Sequence, residues 1–157
     1  MRFIGNKENL LEQIYFIFKS KCITGEVFFD FFSGTSNVGR FFKKLNYQVF
    51  SSDLLYFSYC LQRAYIENNN PPEFKKLLSI IKTYENKLFS TPLEDIVSHL
   101  NNIPLIDGFI YKNYTLGGTS DLKVPRMYFS DDNGKKIDAI RRQIEIWKNT
   151  NYLNENE

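Results

Sequence analysis

Two acidic residues, Asp30 and Asp53, stand at the ends of short apolar runs, and a small-residue turn follows the first of them. A carboxylate only accepts hydrogen bonds, so an acid that closes the second strand of a nucleotide-type fold suits the paired hydroxyls of a ribose. The turn contains Gly34, which lets the backbone approach a ligand closely. These residue types and their order predict a site for a ribose-bearing ligand.

The turn lacks the spacing of a dinucleotide site. Residues 34–39 read GTSNVG, without the second glycine of G-x-G-x-x-G. The missing glycine argues against a pyrophosphate, and therefore against NAD or FAD. S-adenosylmethionine (SAM), which carries a ribose but no pyrophosphate, fits better.

The elements that must position these residues alternate between helix and strand. Hydrophobic periodicity and turn residues predict an amphipathic helix over 8–19, a strand over 27–32, a helix over 37–45, a strand over 48–52 and a helix over 55–67. This order is typical of parallel crossovers in a doubly wound α/β sheet. Ligands of such sheets bind outside the carboxyl ends of the strands.

After Pro72 the pattern becomes helical and turn-rich. Apolar spacing predicts a helix over 74–81, one begun by Thr91 and Pro92, and a last one over 135–148. Residues 109–111 predict a short strand. The polar tail, 149–157, is expected to fray.

Length and composition exclude several classes of protein. At 157 residues the chain can bury a real hydrophobic core, and no apolar run approaches the ~20 residues that span a bilayer. Without a signal-peptide core the chain is expected in the cytoplasm, with no membrane partner. Cys22 and Cys60 have no metal-site spacing and the chain has one His, so we expect buried cysteines and no metal site.

Several stretches resemble the DNA adenine-N6 methyltransferases of the adenine methylase family. Residues 2–7, RFIGNK, resemble the family's opening K-[WY]-x-G-[GS]-K segment, and 30–34, DFFSG, resemble its [DE]-P-F-x-G SAM motif. Residues 49–53, VFSSD, resemble its second strand with the ribose-binding acid. The stretch 126–141, with RMYFS, NG and ID-x-IR, resembles a segment of the restriction-modification members.

The resemblance implies an incomplete Rossmann-like SAM-dependent methyltransferase sheet, joined to a mostly helical and irregular target-recognition region. It implies SAM as the cofactor, with contacts from Ile4, Gly5, Lys7, Asp30, Phe32, Gly34 and Asp53. The first three would line the methionine end of SAM, and Asp53 would hold the ribose. Phe31 replaces the family's usual proline, and Asn6 replaces its Gly or Ser.

The family's catalytic motif, [DN]-P-P-[YF], has only a poor counterpart in this chain. Its amide or carboxylate accepts hydrogen bonds from the adenine amine, and its aromatic ring stacks on the flipped base. Residues 70–73 read NPPE, with Glu73 in place of the ring, and no predicted strand precedes them. We interpret them as a helix terminator and expect no catalytic residue within the chain. The expectation is an N-terminal portion, inactive alone, that is a piece of a longer enzyme with a C-terminal catalytic segment, a natural truncation, or one half of a split enzyme that a second chain completes.

The resemblance also implies a division into regions and a partner, double-stranded DNA. Residues 1–69 would bind SAM, 70–134 would recognise the target, and 135–157 would lead back to the catalytic part. Basic residues outnumber acidic ones by seven to four between 123 and 148, a mild surplus suited to phosphate contacts. The candidate DNA contacts are Lys112, Arg126, Lys135 and Lys136.

Two other functions are compatible with these residues. A non-catalytic remnant of the fold would bind DNA or protein without SAM, and the basic residues would then mark a solvated helix face. A small-molecule SAM methyltransferase is a weaker alternative, because such enzymes do not usually begin with a segment like 2–7.

Overall fold

A computed structural model describes residues 6–81 and 90–157, so the candidates Ile4 and Gly5 lie outside the described residues. The chain divides into two compact units, one up to Pro71 and one from Pro72 to Glu155. The first unit is mixed α/β and the second is helical. Within the described ranges, no helix has the length and apolarity that crossing a bilayer requires.

The first unit confirms the predicted alternation of helix and strand. Its elements are a 3-10 turn, Glu8–Leu10, and then α1 (Leu11–Ser20), β1 (Val27–Asp30), α2 (Asn37–Lys44), β2 (Gln48–Ser51) and α3 (Tyr56–Gln62), with a π-helical segment at Arg63–Glu67. The two strands pair in parallel, with Val27 opposite Gln48 and Asp30 opposite Ser51. The carboxyl ends of both strands therefore lie at the same edge of the sheet.

Aromatic packing explains why α2 lies on this sheet. Phe42 of α2 is fully buried and stacks on Phe28 of β1, with ring centroids 3.8 Å apart. Phe18 of α1 meets the same ring edge-on at 5.3 Å. Such pairs stabilise a core beyond the area that they bury.

The end of β1 and the last helix of the first unit differ from the predictions. β1 ends at Asp30 rather than at 32, because the chain turns after Asp30 and leaves Phe31 and Phe32 exposed. The last helix changes to a π-helix at Arg63. The Lys43 ammonium donates to three carbonyl oxygens at its end, those of Tyr65, Ile66 and Asn68.

The second unit contains four helices in the described residues. They are α4 (Lys75–Leu78), α5 (Pro92–Asn102), α6 (Phe109–Tyr114) and α7 (Asp131–Asn149), with a 3-10 turn at Gly117–Thr119. Buried side chains of α4, α5 and α7, and of the residue directly before α4, form one apolar cluster: Phe74, Leu77, Ile96 and Trp147. The predicted helix at Thr91 and Pro92 is confirmed, since the Thr91 side chain accepts from the amide of Glu94 in a capping box.

The helix predicted over 135–148 begins earlier, at Asp131. The Ser130 side chain accepts from the amide of Asn133 and caps the helix there. Serine is a favoured N-cap residue, so the local sequence was sufficient to predict this start of the helix.

The strand predicted over 109–111 is wrong, because these residues begin α6. Asp138 of α7 is buried, and its two carboxylate oxygens accept from the amides of Ile110 and Tyr111, at 2.9 and 2.8 Å. The first amides of a helix have no partner within the helix, so this distant acid stabilises the helical start. The short apolar run alone contained no sign of it.

The expectation of a frayed tail is also wrong. Tyr152 and Leu153 pack against the apolar cluster of the second unit. A carboxylate oxygen of Glu157 accepts from the amide of Phe74 at 2.8 Å. The tail is therefore part of this unit's packing.

The expectation of buried cysteines is wrong as well. Cys22 and Cys60 are both exposed free thiols. Cys22 lies just after α1, with a positive φ of 51° that ends the helix.

Candidate functional site

A cavity of about 540 Å³ opens at the carboxyl end of β1, a volume within the usual range for ligand sites. Its lining comes from Lys7 before the first helix, Ile14 of α1, the end of β1, the following turn and the start of α2. Four candidates from the sequence lie in this lining: Lys7, Asp30, Phe32 and Gly34. The fifth described candidate, Asp53, reaches the same turn through a hydrogen bond.

The turn after β1 has the backbone conformation of a tight loop. Gly34 has a φ of +50°, which favours glycine, and a Cβ placed there would meet no atom within 4 Å. The amide of Ser36 donates to the carbonyl oxygen of Ser33 at 2.7 Å. The positive φ thus favours glycine at position 34, and the space beside it stays open.

The side chain of Asp53, just after β2, binds the turn that follows β1. One carboxylate oxygen accepts from the amide of Gly34 at 2.8 Å, and the other accepts from the amide of Leu55 at 2.9 Å. The Leu55 and Gly34 amides hold the pKa of Asp53 below its ordinary value, so the group is ionised. A carboxylate has about four acceptor sites, and these two amides take one site on each oxygen.

Asp30 faces the cavity and anchors the first turn of α2. One of its carboxylate oxygens accepts from the amide of Gly39 at 3.1 Å. Burial raises the pKa of Asp30, while the Gly39 amide and the positive charge of Lys7 act in the opposite direction. A Cβ at Gly39 would lie 3.0 Å from the Ile66 side chain, so close packing explains this glycine.

Asn6 and Asn37 hold the N-terminal segment at the cavity. The Asn37 side-chain amide donates to the side-chain oxygen of Asn6 at 2.6 Å, and that oxygen also accepts from the amide of Glu8. The contact places the neighbouring Lys7 in the cavity lining. In the sequence, Asn6 is only a departure from the family's pattern, and Asn37 was not predicted, since its only local signal is a polar amide after a small-residue turn.

Large apolar side chains are exposed beside the cavity. Phe32, which lines it, is 86% exposed, and Leu54, directly after Asp53, is 98% exposed. Exposed apolar groups next to a carboxylate suit a ligand with a flat ring and a sugar. Leu54 was missed from the sequence, although its position after the acid was a usable signal.

The four candidate DNA contacts differ in their surroundings within the second unit. Lys112 and Arg126 are exposed, and the Arg126 guanidinium donates to the carbonyl oxygen of Asn113 at 3.2 Å. Lys135 pairs with Asp107 at 2.8 Å, and this acid raises the pKa of Lys135. Lys136 donates to the carbonyl oxygens at 101 and 103.

The NPPE stretch lies between helices. The π-helical segment ends at Glu67, and Glu73 forms an ion pair with Lys75. The stretch presents no aromatic ring of its own.

Comparison with known proteins identifies a family and several relatives. A family model described as D12 class N6 adenine-specific DNA methyltransferase matches residues 3–155. The chain is 40% identical to the Type II methyltransferase M.NlaIII of Neisseria lactamica, over 99% of this chain and 41% of that protein. It is 42% identical to the Type II methyltransferase M.FokI of Planomicrobium okeanokoites, over 100% of this chain and 22% of that protein.

A third relative is the modification methylase StsI of Streptococcus sanguinis, 38% identical over 100% of this chain and 22% of that protein. The chain therefore spans less than half the length of these relatives. No solved structure matches it. The family match nevertheless covers almost the whole chain, and the chain belongs to the D12 class N6 adenine-specific DNA methyltransferase family.

Proposed function

We propose that the chain supplies the SAM-binding part, and a part of the DNA-recognition surface, of an adenine-N6 methyltransferase of a restriction-modification system. The observation that carries this proposal is the cavity at the carboxyl end of β1, in a chain of this family. The division into a SAM-binding region over 1–69, a recognition region over 70–134 and a returning helix over 135–157 belongs to the same proposal. So does a Rossmann-like continuation of the two-stranded sheet.

The site fits each part of SAM. The acceptor-only carboxylate of Asp53 suits the ribose hydroxyls, and the exposed side chains of Phe32 and Leu54 offer apolar surface to the adenine ring. The negative charge of Asp30 in the cavity suits a cationic cofactor. Bound SAM would supply the methyl group. The protein's role is to hold and orient it.

The transfer step needs groups that these residues do not include. An adenine amine must meet hydrogen-bond acceptors and the base must stack on a ring, but the 157 residues contain no [DN]-P-P-[YF] motif. We therefore place the amine acceptor and the stacking ring outside the 157 residues. Lys112 and Arg126 are the proposed phosphate contacts because both are exposed, whereas Lys135 and Lys136 are half-buried and bind Asp107 and two backbone carbonyl oxygens.

Calorimetry with SAM, NAD and ATP tests the cofactor proposal. We expect saturable binding of SAM to the 157-residue chain and none of NAD or ATP, because the turn lacks a pyrophosphate cradle. We expect no methyl transfer to adenine-containing duplex DNA by this chain alone. Binding of duplex DNA without any SAM affinity would instead support a non-catalytic remnant.

Asn37→Ala is expected to weaken SAM binding by roughly tenfold, because the lost hydrogen bond to Asn6 frees the segment that carries Lys7. Calorimetry of the variant checks this result. Asn113→Ala, in the second unit, is the matched control and should bind SAM like the unchanged chain. Equal affinity of Asn37→Ala and the unchanged chain would contradict the role of this contact.

A further inference from the structure

A hydrogen bond joins the end of α3 to the wall of the cavity at the carboxyl end of β1. The side-chain amide of Gln62, the last residue of α3, donates to the hydroxyl of Ser33 at 2.6 Å. Ser33 lies in the turn after β1, is 7% exposed and lines the cavity. Gln62 belongs to none of the stretches that resemble the family, and 29 positions separate it from Ser33. The contact is therefore visible only in the fold.

The backbone of Ser33 is held independently of Gln62. Its amide donates to the carbonyl oxygen of Ser52 at 3.1 Å, and its carbonyl oxygen accepts from the amide of Ser36 at 2.7 Å. Both backbone groups of Ser33 thus have the partners that buried polar groups need. The hydrogen bond from Gln62 therefore acts on the side chain of Ser33, and the turn does not depend on it for its course.

The end of α3 packs against α2, which fixes the position of Gln62. In the π-helical segment that follows Gln62, the Tyr65 ring lies under the Arg40 guanidinium, whose carbon is 4.0 Å from the ring centroid. The Ile66 side chain packs so close to α2 that a Cβ at Gly39 would lie 3.0 Å from it. π-Helical turns are frequent at functional sites. These contacts set the direction from which Gln62 reaches the turn.

The hydroxyl of Ser33 keeps a proton that it can donate. A serine hydroxyl has one O–H donor and two acceptor lone pairs, and the amide of Gln62 uses a lone pair. Across residues 6–81 and 90–157, no protein group accepts a hydrogen bond from this hydroxyl. A buried donor is usually paired, and a ligand in the cavity can supply the acceptor. SAM carries acceptors in its carboxylate, its ribose and its adenine.

Resting on the SAM site of the proposed function, we propose that Gln62 is a positioning residue for the cofactor. Its amide donates to the Ser33 oxygen and thereby turns the Ser33 proton toward an acceptor atom of SAM in the cavity. Gln62 acts through Ser33 and needs no contact with SAM of its own. A hydroxyl that is already oriented binds its acceptor at a lower entropic cost than one that must be ordered on binding.

Calorimetry with SAM tests this role in a double-mutant cycle. Gln62→Met keeps the length of the side chain and removes its amide, and Ser33→Ala removes the hydroxyl. Each variant is expected to bind SAM about tenfold more weakly, the usual cost of a hydrogen bond. Because both changes remove the same interaction, the double variant should bind no more weakly than Ser33→Ala. Losses that multiply to about 100-fold in the double variant would show that Gln62 acts independently of Ser33, and would overturn the proposal.

Gln62→Glu reverses the direction of the hydrogen bond. A carboxylate only accepts, so it keeps the link to Ser33 but takes the proton that Ser33 would otherwise donate to SAM. We expect this variant to be folded and to bind SAM at least as weakly as Gln62→Met. Full SAM affinity in Gln62→Glu would show that Gln62 is a structural tether only, and would overturn the proposal even if Gln62→Met failed to fold.

The matched controls are Gln48→Met and Gln48→Glu, at an exposed glutamine that begins β2 at the end of the strand away from the cavity. Both should keep the SAM affinity of the unchanged chain, so that the added charge is tested separately from the hydrogen bond. Circular dichroism shows whether each variant is folded. An unchanged chain that binds no SAM overturns the proposed function and this role with it. If the unchanged chain binds SAM and folded Gln62→Met binds it equally well, only the role of Gln62 is overturned.

Discussion

Replacing Asp53 by Asn is expected to weaken SAM binding roughly 10- to 100-fold. In the proposed site the carboxylate would accept from the ribose hydroxyls while it holds the amides of Gly34 and Leu55. An Asn side chain has one oxygen, and its amino group would face either a backbone amide or a hydroxyl. Asp53→Ala removes every acceptor and is expected to abolish measurable binding.

Calorimetry measures both Asp53 variants. The matched control is Glu26→Gln, which removes an exposed acid at the opposite end of β1 and should leave the affinity unchanged. An affinity for SAM that stays the same in Asp53→Ala would contradict the ribose assignment.

The same residue predicts the pH dependence of binding. The pKa of Asp53 lies below its ordinary value, because the amides of Leu55 and Gly34 bond the ionised form. Asp53 is therefore fully ionised in the folded chain above its ordinary pKa of about 3.9. Its contribution to SAM binding is lost only as the pH falls through the lowered pKa that Asp53 has in the folded chain. SAM affinity should show no loss from Asp53 protonation between about pH 8 and pH 5.

Asp138→Ala is expected to lower the free energy of unfolding of the second unit by about 3 kcal/mol. The substitution leaves the half-buried amides of Ile110 and Tyr111 without their acceptors and removes one of the contacts between α6 and α7. Trp147, the chain's single tryptophan, lies in the core of this unit. Its fluorescence during urea unfolding measures the change.

The control for Asp138 is Asp132→Ala, an exposed acid in the first turn of the same helix. Its loss should cost less than about 1 kcal/mol, the usual size of a helix-end charge effect. Asp138→Asn keeps one acceptor oxygen and should be intermediate. Equal stability of Asp138→Ala and Asp132→Ala would contradict the capping role.

Local patterns predicted the first unit well because its decisive interactions are close in sequence. The apolar run that becomes β1, the small-residue turn at Gly34 and the acid at Asp53 each have a local signature. Thr91 and Pro92 likewise mark the start of α5 with a capping box and an N-terminal proline. Such features need no knowledge of distant residues.

Interactions between distant residues produced the errors. Residues 109–111 are apolar and suit a strand, but Asp138, far along the chain, makes them a helix. Tyr152 belongs to a polar tail in sequence, and only the position of Trp147 and its neighbours shows that it packs. Lys136 resembles a surface charge until the two carbonyl oxygens beside it are known.

Candidate site residues show the same division. Asp30, Gly34 and Phe32 come from one stretch and all line the cavity. The pair Asn6 and Asn37 depends on two segments that meet only in the fold, and no spacing rule indicates it.

The central claim is that SAM binds at the carboxyl end of the parallel strands. The NMR resonances of the backbone amides test this claim most directly. In a titration of the ¹⁵N-labelled 157-residue chain with SAM, the amides of Gly34, Gly39 and Asp53 should shift together and saturate at one affinity. Resonances of residues 90–157 serve as the internal reference and should change little. Absence of shifts in residues 30–39 and 53, or shifts confined to 90–157, would contradict the account.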